Sequence, residues 1–236
     1  MSFKLKVFRF LKYIFFSWGI YRLVYPFSGF LSTLANMGRL GKFMAGIKHL
    51  PNVSPVAKPG SSQRTELYVL VNDGLAGGPV DYLEFGVFQG RSFRWWVEHN
   101  THPDSRFYGF DTFTGLPEDW GGFKAGDMSA GIPDIRDPRV TFVKGLFQDT
   151  LPGFIAGWKG TGRKVIHLDA DLYTSTLYVL CSLAPYLRAG DVLLYDEFAV
   201  PEHEYLAFRN FSDSFRVKYE VIGARNNGLF LAMRIL

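Results

Sequence analysis

The sequence predicts an α/β fold: a doubly wound, mostly parallel sheet closed by an antiparallel C-terminal strand pair, with a helical appendage at the N-terminus. Three observations predict it. Strand-like and helix-like segments alternate from residue 81 onward. Acids and glycines recur where the strand-like runs end. The first 65 residues differ in composition from everything after them.

That opening segment comes first in the chain. Residues 1–65 carry ten Lys or Arg and no Asp or Glu, whereas the remainder carries 16 basic and 22 acidic residues. The net charge of +4 is therefore a property of the N-terminus. It is not the footprint of a nucleic-acid-binding main domain, and no nucleic-acid partner is expected. The longest uncharged run before Pro26 is Tyr13–Tyr21, too short to cross a bilayer. No small-residue cleavage site follows the apolar run, which argues against a signal peptide. Two readings of residues 1–50 stay open. One is an interfacial helix on an anionic membrane, with basic residues among Phe, Trp and Tyr. The other is a helical cap on the main domain or on a second copy in a homo-oligomer.

Residues 51–65, "PNVSPVAKPGSSQRT", read as a linker. The predicted units are thus an appendage with linker over 1–60 and a main domain over 61–236. The single cysteine, Cys181, sits in an apolar helical pattern and reads as a packed thiol. One cysteine excludes an internal disulfide and fits a reducing, cytoplasmic setting.

A helix is predicted over 66–75. Strands follow at "DYLEFGV" (81–87), "RFYGFDTF" (106–113), "RVTFVKG" (139–145), "KVIHLD" (164–169) and "DVLLYDEF" (191–198). Helices are predicted at "SFRWWVEHN" (92–100), from "DTLPGFIAGW" (149), at "TLYVLCSLAPYL" (176–187) and at "EHEYLAFRNFSDSF" (202–215). "YEVIG" and "GLFLAMRI" form the closing pair. Trp95 and Trp96 are assigned to the core. The long Gly-rich stretch 115–138 reads as a lid.

Ligands of such sheets bind beyond the carboxyl ends of the strands. Glu84, Asp111, Asp169, Asp196 and Glu197 all fall at or near those ends. A single strand-end Asp usually caps the next helix. Five acids on one edge repel one another unless a cation or a donor-rich ligand sits among them. "LEFGVFQGRS" (83–92) supplies Gly86 and Gly90 at a strand-to-helix turn, but the spacing is not that of the dinucleotide fingerprint. Asp111 ends the second strand, where a carboxylate accepts ribose hydroxyls. His167 reads as a satisfied core histidine. His203 reads equally as a solvated helix end or as a group reaching an acceptor.

The blocks "LEFGVFQGRS", "FYGFDTFTGLP", "VKGLFQDTLP", "HLDADLYTST" and "GDVLLYDEF" occur in that order over residues 83–198. In them the chain resembles class I S-adenosylmethionine-dependent methyltransferases with a Rossmann-like sheet, and more narrowly the macrocin O-methyltransferase family. The blocks are also similar to the metal-dependent catechol O-methyltransferases. The resemblance implies S-adenosyl-L-methionine as cofactor. Glu84 and Gly86 would face its methionine end, Ser92 its carboxylate, Asp111 its ribose, and Gln148 with Asp149 its adenine. Val87, Phe88, Gly90, Thr112 and Phe113 complete the implied contacts. Asp169, Asp196 and Glu197 would bind Mg2+, and Asp171 or a water on the metal would take a proton. Whether Asp169 or Asp171 is the first metal ligand stays open. The family carries Asp-Asp where this chain has Asp196-Glu197, and the extra methylene moves one oxygen outward. The implied activity is O-methylation of a sugar or glycosylated small molecule. The alternatives are a Rossmann protein using another nucleotide and a non-catalytic, membrane-associated cofactor-binding scaffold.

Overall fold

The computed structural model describes residues 2–54, 63–119, 122–160 and 162–236. Helices α1 (Phe3–Ser17), α2 (Tyr21–Val24) and α3 (Ser28–Ile47) precede α4 (Gln63–Gly74). The main sequence is then β1 (Val80–Phe85), α5 (Arg91–His99), β2 (Arg106–Asp111), β3 (Val140–Lys144), α6 (Phe147–Gly157), β4 (Arg163–Leu168), α7 (Tyr173–Leu183), β5 (Val192–Tyr195), α8 (Glu204–Phe215), β6 (Tyr219–Arg225) and β7 (Phe230–Ile235).

Seven strands form one sheet in the order β3-β2-β1-β4-β5-β7-β6. The first five pair in parallel, and β7 runs antiparallel to both β5 and β6. Alternation along β1 explains the two layers, because successive side chains leave a strand on opposite faces. Leu83 and Phe85 join the core under α6, α7 and α8, with Leu151, Val179 and Phe208. Val80 and Tyr82 join the core under α4 and α5, with Leu67, Phe93 and Trp96. Trp96 stacks on Tyr82 at 4.9 Å, whereas Trp95 packs against its edge and is partly buried.

The predicted linker divides. Residues 55–62 lie outside the described residues. Residues 52–54 are tied to β6: Ser54 N donates to Ala224 O at 2.9 Å, and Ala224 N donates to Asn52 O at 3.0 Å. Helix α4 starts at Gln63, three residues earlier than predicted, which carries Arg64 out of the linker and into a first helical turn. The C-terminal half of α3 packs on the body through Leu40, Ile47 and Phe43, with the Phe43 ring 5.2 Å from that of Phe198. Helix α1 buries no residue, and no helix among the described residues is long and apolar enough to cross a membrane.

Candidate active site

Strand register sets the site. Phe85 pairs with Phe110 on one side and with Leu168 on the other, and Leu168 pairs with Tyr195. The next residues, Gly86, Asp111, Asp169 and Asp196, therefore stand in one row at the carboxyl edge. Backbone bonds extend the ladder into that row: Gly86 N to Phe110 O at 2.9 Å, Asp169 N to Phe85 O at 2.9 Å, and Asp196 N to Leu168 O at 3.1 Å. Gly86 has φ +93°, and a Cβ there would lie 1.8 Å from the Asp169 carbonyl oxygen. Only glycine lets the two strand ends come this close.

Beyond the row lies a cavity of about 520 Å³. Of the residues singled out in the sequence, Gly86, Phe88, Asp111, Thr112, Gln148, Asp169, Asp171 and Glu197 are on its wall. Leu116, Pro117 and Met128 of the 115–138 stretch also line it. That stretch joins its own two arms, with Leu116 N donating to Asp127 O at 2.8 Å and Gly126 N donating to Leu116 O at 2.9 Å. Residues 120 and 121 of the expected lid lie outside the described residues.

Other predicted residues do not reach the wall. Glu84 is fully buried: Ser92 Oγ donates to its Oε1 at 2.6 Å, and the Tyr82 hydroxyl bonds its Oε2. Glu84 and Ser92 thus satisfy each other beneath the cavity. Gly90 seats the loop instead of a ligand, since a Cβ there would lie 2.7 Å from Pro133 Cγ. Val87 and Phe113 are buried side chains whose amides serve Asp111. Asp149 lies in the first turn of α6, off the wall. Asp196, 1% exposed, lies beneath the wall.

Asp111 is already occupied. Its Oδ2 accepts from Val87 N and Phe88 N, both at 2.8 Å, and its Oδ1 accepts from Phe113 N at 2.7 Å. The Thr112 hydroxyl also lies 3.5 Å from Oδ1, but its single proton is better placed on Gly115 O at 2.7 Å, so of about four acceptor positions on the carboxylate one remains for a ligand hydroxyl.

The compact group of possible metal ligands among the described residues is His167, Asp169 and Asp196, with one ligand atom from each lying within 4.8 Å of the others. Glu197 stands outside that group, on the wall. His167 is fully buried, with Nδ1 2.7 Å from the Tyr82 hydroxyl and Nε2 3.7 Å from Asp196 Oδ1. Its Nε2 makes no hydrogen bond, so the expected satisfied core histidine is only half satisfied. Burial opposes a charge on this ring, but Asp196 and Glu84 outweigh it and raise its pKa to about 10. Asp169 is pushed well above the carboxylate range by burial and then by the charge of Asp196. Burial, with Glu197 and Asp196 nearby, raises Asp171 to about 7.

Two contributors were not anticipated. Glu204, at the start of α8, is fully buried, and its Oε2 accepts from Glu197 N at 3.0 Å. Arg64 places its guanidinium against Asp196 Oδ2. Neither lies at a strand end, the position by which the other acids are recognised. His203 precedes α8 and is partly buried, which lowers its pKa.

The shifts of Asp169, Asp171 and His167 share one sign, upward. The folded chain keeps protons on Asp171 from about pH 4 to 7, and on His167 from about pH 6.5 to 10, that the unfolded chain has lost. Stability of the cation-free protein is therefore expected to fall as pH rises. Its melting temperature in EDTA should be lower at pH 8 than at pH 5.5. A higher value at pH 8 would show that the cluster is not holding these protons.

Comparison with known proteins fits this geometry. Residues 83–198 match the family model described as a methyltransferase domain. The chain is 31% identical over 182 residues to 8-demethyl-8-(2,3-dimethoxy-alpha-L-rhamnosyl)-tetracenomycin-C 4'-O-methyltransferase of Streptomyces olivaceus, covering 66% of this chain and 62% of that protein. It is 24% identical over 166 residues to demethyldecarbamoylnovobiocin O-methyltransferase of Streptomyces niveus, covering 61% of this chain and 60% of that one. The chain thus spans somewhat under two thirds of these relatives' length. Among solved structures, the calicheamicin methyltransferase CalS11 superposes with a TM-score of 0.57 at 21% identity, covering 85% of this chain and 91% of that one. The O-methyltransferase NovP gives 0.57 at 19%, covering 86% and 98%. The ordered motifs, the sheet order and these likenesses point the same way: residues 83–198, just under half of the chain, are similar to a methyltransferase domain and lie on a mostly parallel Rossmann-like sheet.

Proposed function

We propose that the protein is an O-methyltransferase that uses S-adenosylmethionine and a divalent cation, Mg2+, to methylate a hydroxyl of a sugar or glycosylated small molecule. The observation that carries this reading is the convergence of Asp169, Asp171 and Glu197 on the cavity that Gly86 and Asp111 also line. The methyl donor fits: the cavity lies within the usual range for small-molecule sites, and the bare edge at Gly86 leaves room for close approach. Asp111 would hold the ribose, with Thr112, Phe88 and Gln148 around it. The donor supplies a methyl group already activated on a sulfonium, so the protein's part is orientation and proton removal.

The metal also fits. Asp169 and Asp196 offer hard oxygens side by side, with Glu197 close by on the wall, and oxygen ligands suit Mg2+. A bound cation would hold acceptor hydroxyls and make one of them more acidic. Asp171, outside the compact group but on the wall and with a pKa near 7, is suited to receive the released proton. Glu84 positions rather than binds: it holds Ser92 and Tyr82, and Tyr82 in turn bonds His167 beneath the acids. A sugar hydroxyl as acceptor is supported by the names of the Streptomyces relatives. The test is calorimetry with S-adenosylmethionine, followed by transfer of labelled methyl to a panel of glycosylated acceptors with and without EDTA. Transfer undiminished by EDTA would remove the metal; no cofactor binding would remove the reading.

We also infer that α1 rests on an anionic membrane surface. Phe3, Val7, Phe10, Leu11 and Ile14 recur at the spacing of one helical face, while Lys6, Arg9 and Lys12 fall on another. Phe3, Trp18 and Tyr25 are 80%, 74% and 76% exposed. Each basic residue near an anionic surface contributes about 1 kcal/mol. Because α3 is part of the core, the informative deletion is residues 2–27 and not the whole appendage. That deletion is expected to abolish co-sedimentation with phosphatidylserine vesicles at low salt and to leave the mass by light scattering unchanged. A change in mass without a change in vesicle binding would instead identify an arm between identical subunits.

A further inference from the structure

Asp196 lies between His167 and Arg64. His167 Nε2 stands 3.7 Å from its Oδ1, and the Arg64 guanidinium is paired with its Oδ2. Arg64 comes from the first turn of α4, on the opposite side of the sheet from α8, and crosses the ring of Phe230 at 5.0 Å to reach the carboxylate. Asp169 and Glu84 are the other acids whose charge it feels. Asp196 is nearly inaccessible, yet 42% of the Arg64 side-chain surface is exposed, and Arg64 lines the cavity. The pair is therefore asymmetric. A buried carboxylate left without a partner is costly, whereas the guanidinium can leave for the cavity without opening the core.

The oxygen that Arg64 holds belongs to one of the two adjacent carboxylates that would bind a divalent ion. Two cations on one carboxylate repel each other. We propose that Arg64 is a resident counter-cation that competes with the divalent metal for Asp196, so that metal entry frees the guanidinium into the cavity. This rests on the metal reading above. It explains how the acids stay neutralised in the cation-free protein, and it makes Arg64 the residue that sets how tightly the metal is held.

The test is Mn2+ binding to the full chain without cofactor, followed by electron paramagnetic resonance, for the wild type, Arg64→Gln and Arg64→Lys. Loss of a bond to a charged group implies that Arg64→Gln binds Mn2+ about 10- to 100-fold more tightly than the wild type. Arg64→Lys keeps the charge but loses the planar fork, and should fall between the two. In EDTA, Arg64→Gln should melt below the wild type, and Mn2+ should close the gap. Unchanged or weaker Mn2+ binding by both variants overturns the competition and leaves the metal site standing. No Mn2+ binding by any of the three proteins overturns the metal reading, and the competition with it.

Discussion

Asp169→Asn and Asp196→Asn are each expected to reduce methyl transfer by more than about 100-fold while leaving the sheet intact. Asparagine keeps the shape of the side chain and removes the charge. Losing a partner behind the ligands of a metal site typically costs 10- to 100-fold, and losing a ligand itself should cost at least that. The fold should survive, because the bonds that continue the sheet through these residues are made by their backbone amides. Asp169 is half-buried among acids and holds its proton above the usual range, so Asp169→Asn should not lower the melting temperature in EDTA. The measurements are labelled-methyl transfer at saturating cofactor and thermal melts with and without Mg2+. Either variant within tenfold of wild-type transfer would mean that the acids do not hold a catalytic cation.

Asp111→Ala is expected to lose both cofactor affinity and stability. On the sequence alone Asp111 has one task, to receive the ribose hydroxyls, and its removal would spare the fold. The structure gives it a second task. Its carboxylate gathers the amides of Val87, Phe88 and Phe113, which shape the turn after β1 and the turn after β2. Phe88 and Phe113 both have positive φ, at +49° and +55°, a conformation that is uncommon for residues other than glycine and that these bonds help hold. Each bond to a charged group contributes about 1.5–3 kcal/mol, so the loss of three should lower the melting temperature visibly. Calorimetry with S-adenosylmethionine should show at least about tenfold weaker binding, the equivalent of one such bond. Cofactor affinity equal to wild type would remove Asp111 from the site.

The fold was legible because its signals are local. The Tyr82/Leu83 alternation, the apolar run before Asp169 and the glycines after β1 each follow from strand period and turn chemistry. The row of acids was legible for the same reason, since strand ends can be read one at a time. What could not be read was pairing across the sheet. Glu84 has the sequence position of a ligand-facing acid, but whether it faces the cavity depends on Ser92, eight residues away, and on Tyr82. Arg64 and Asp196 are 132 positions apart, and nothing local in the "SSQRT" segment marks the arginine as a partner of an acid on β5's end. Gly90 carries the expected turn, φ +71°, yet its open side is filled by Pro133 from the long loop, a contact that exists only once the loop has folded back.

The self-closed arms of the 115–138 stretch have an evolutionary consequence. Gly115 has φ +102°, and a Cβ there would meet the Gly126 carbonyl oxygen at 2.3 Å, so the neck of the loop is fixed by its own backbone. The acids, by contrast, are fixed by strand register. Because the two are held by separate sets of bonds, the loop can be lengthened, shortened or exchanged beyond its neck without shifting the row of carboxylates. Natural variation and laboratory grafting can therefore reshape this part of the cavity wall while the row of strand-end acids is inherited unchanged.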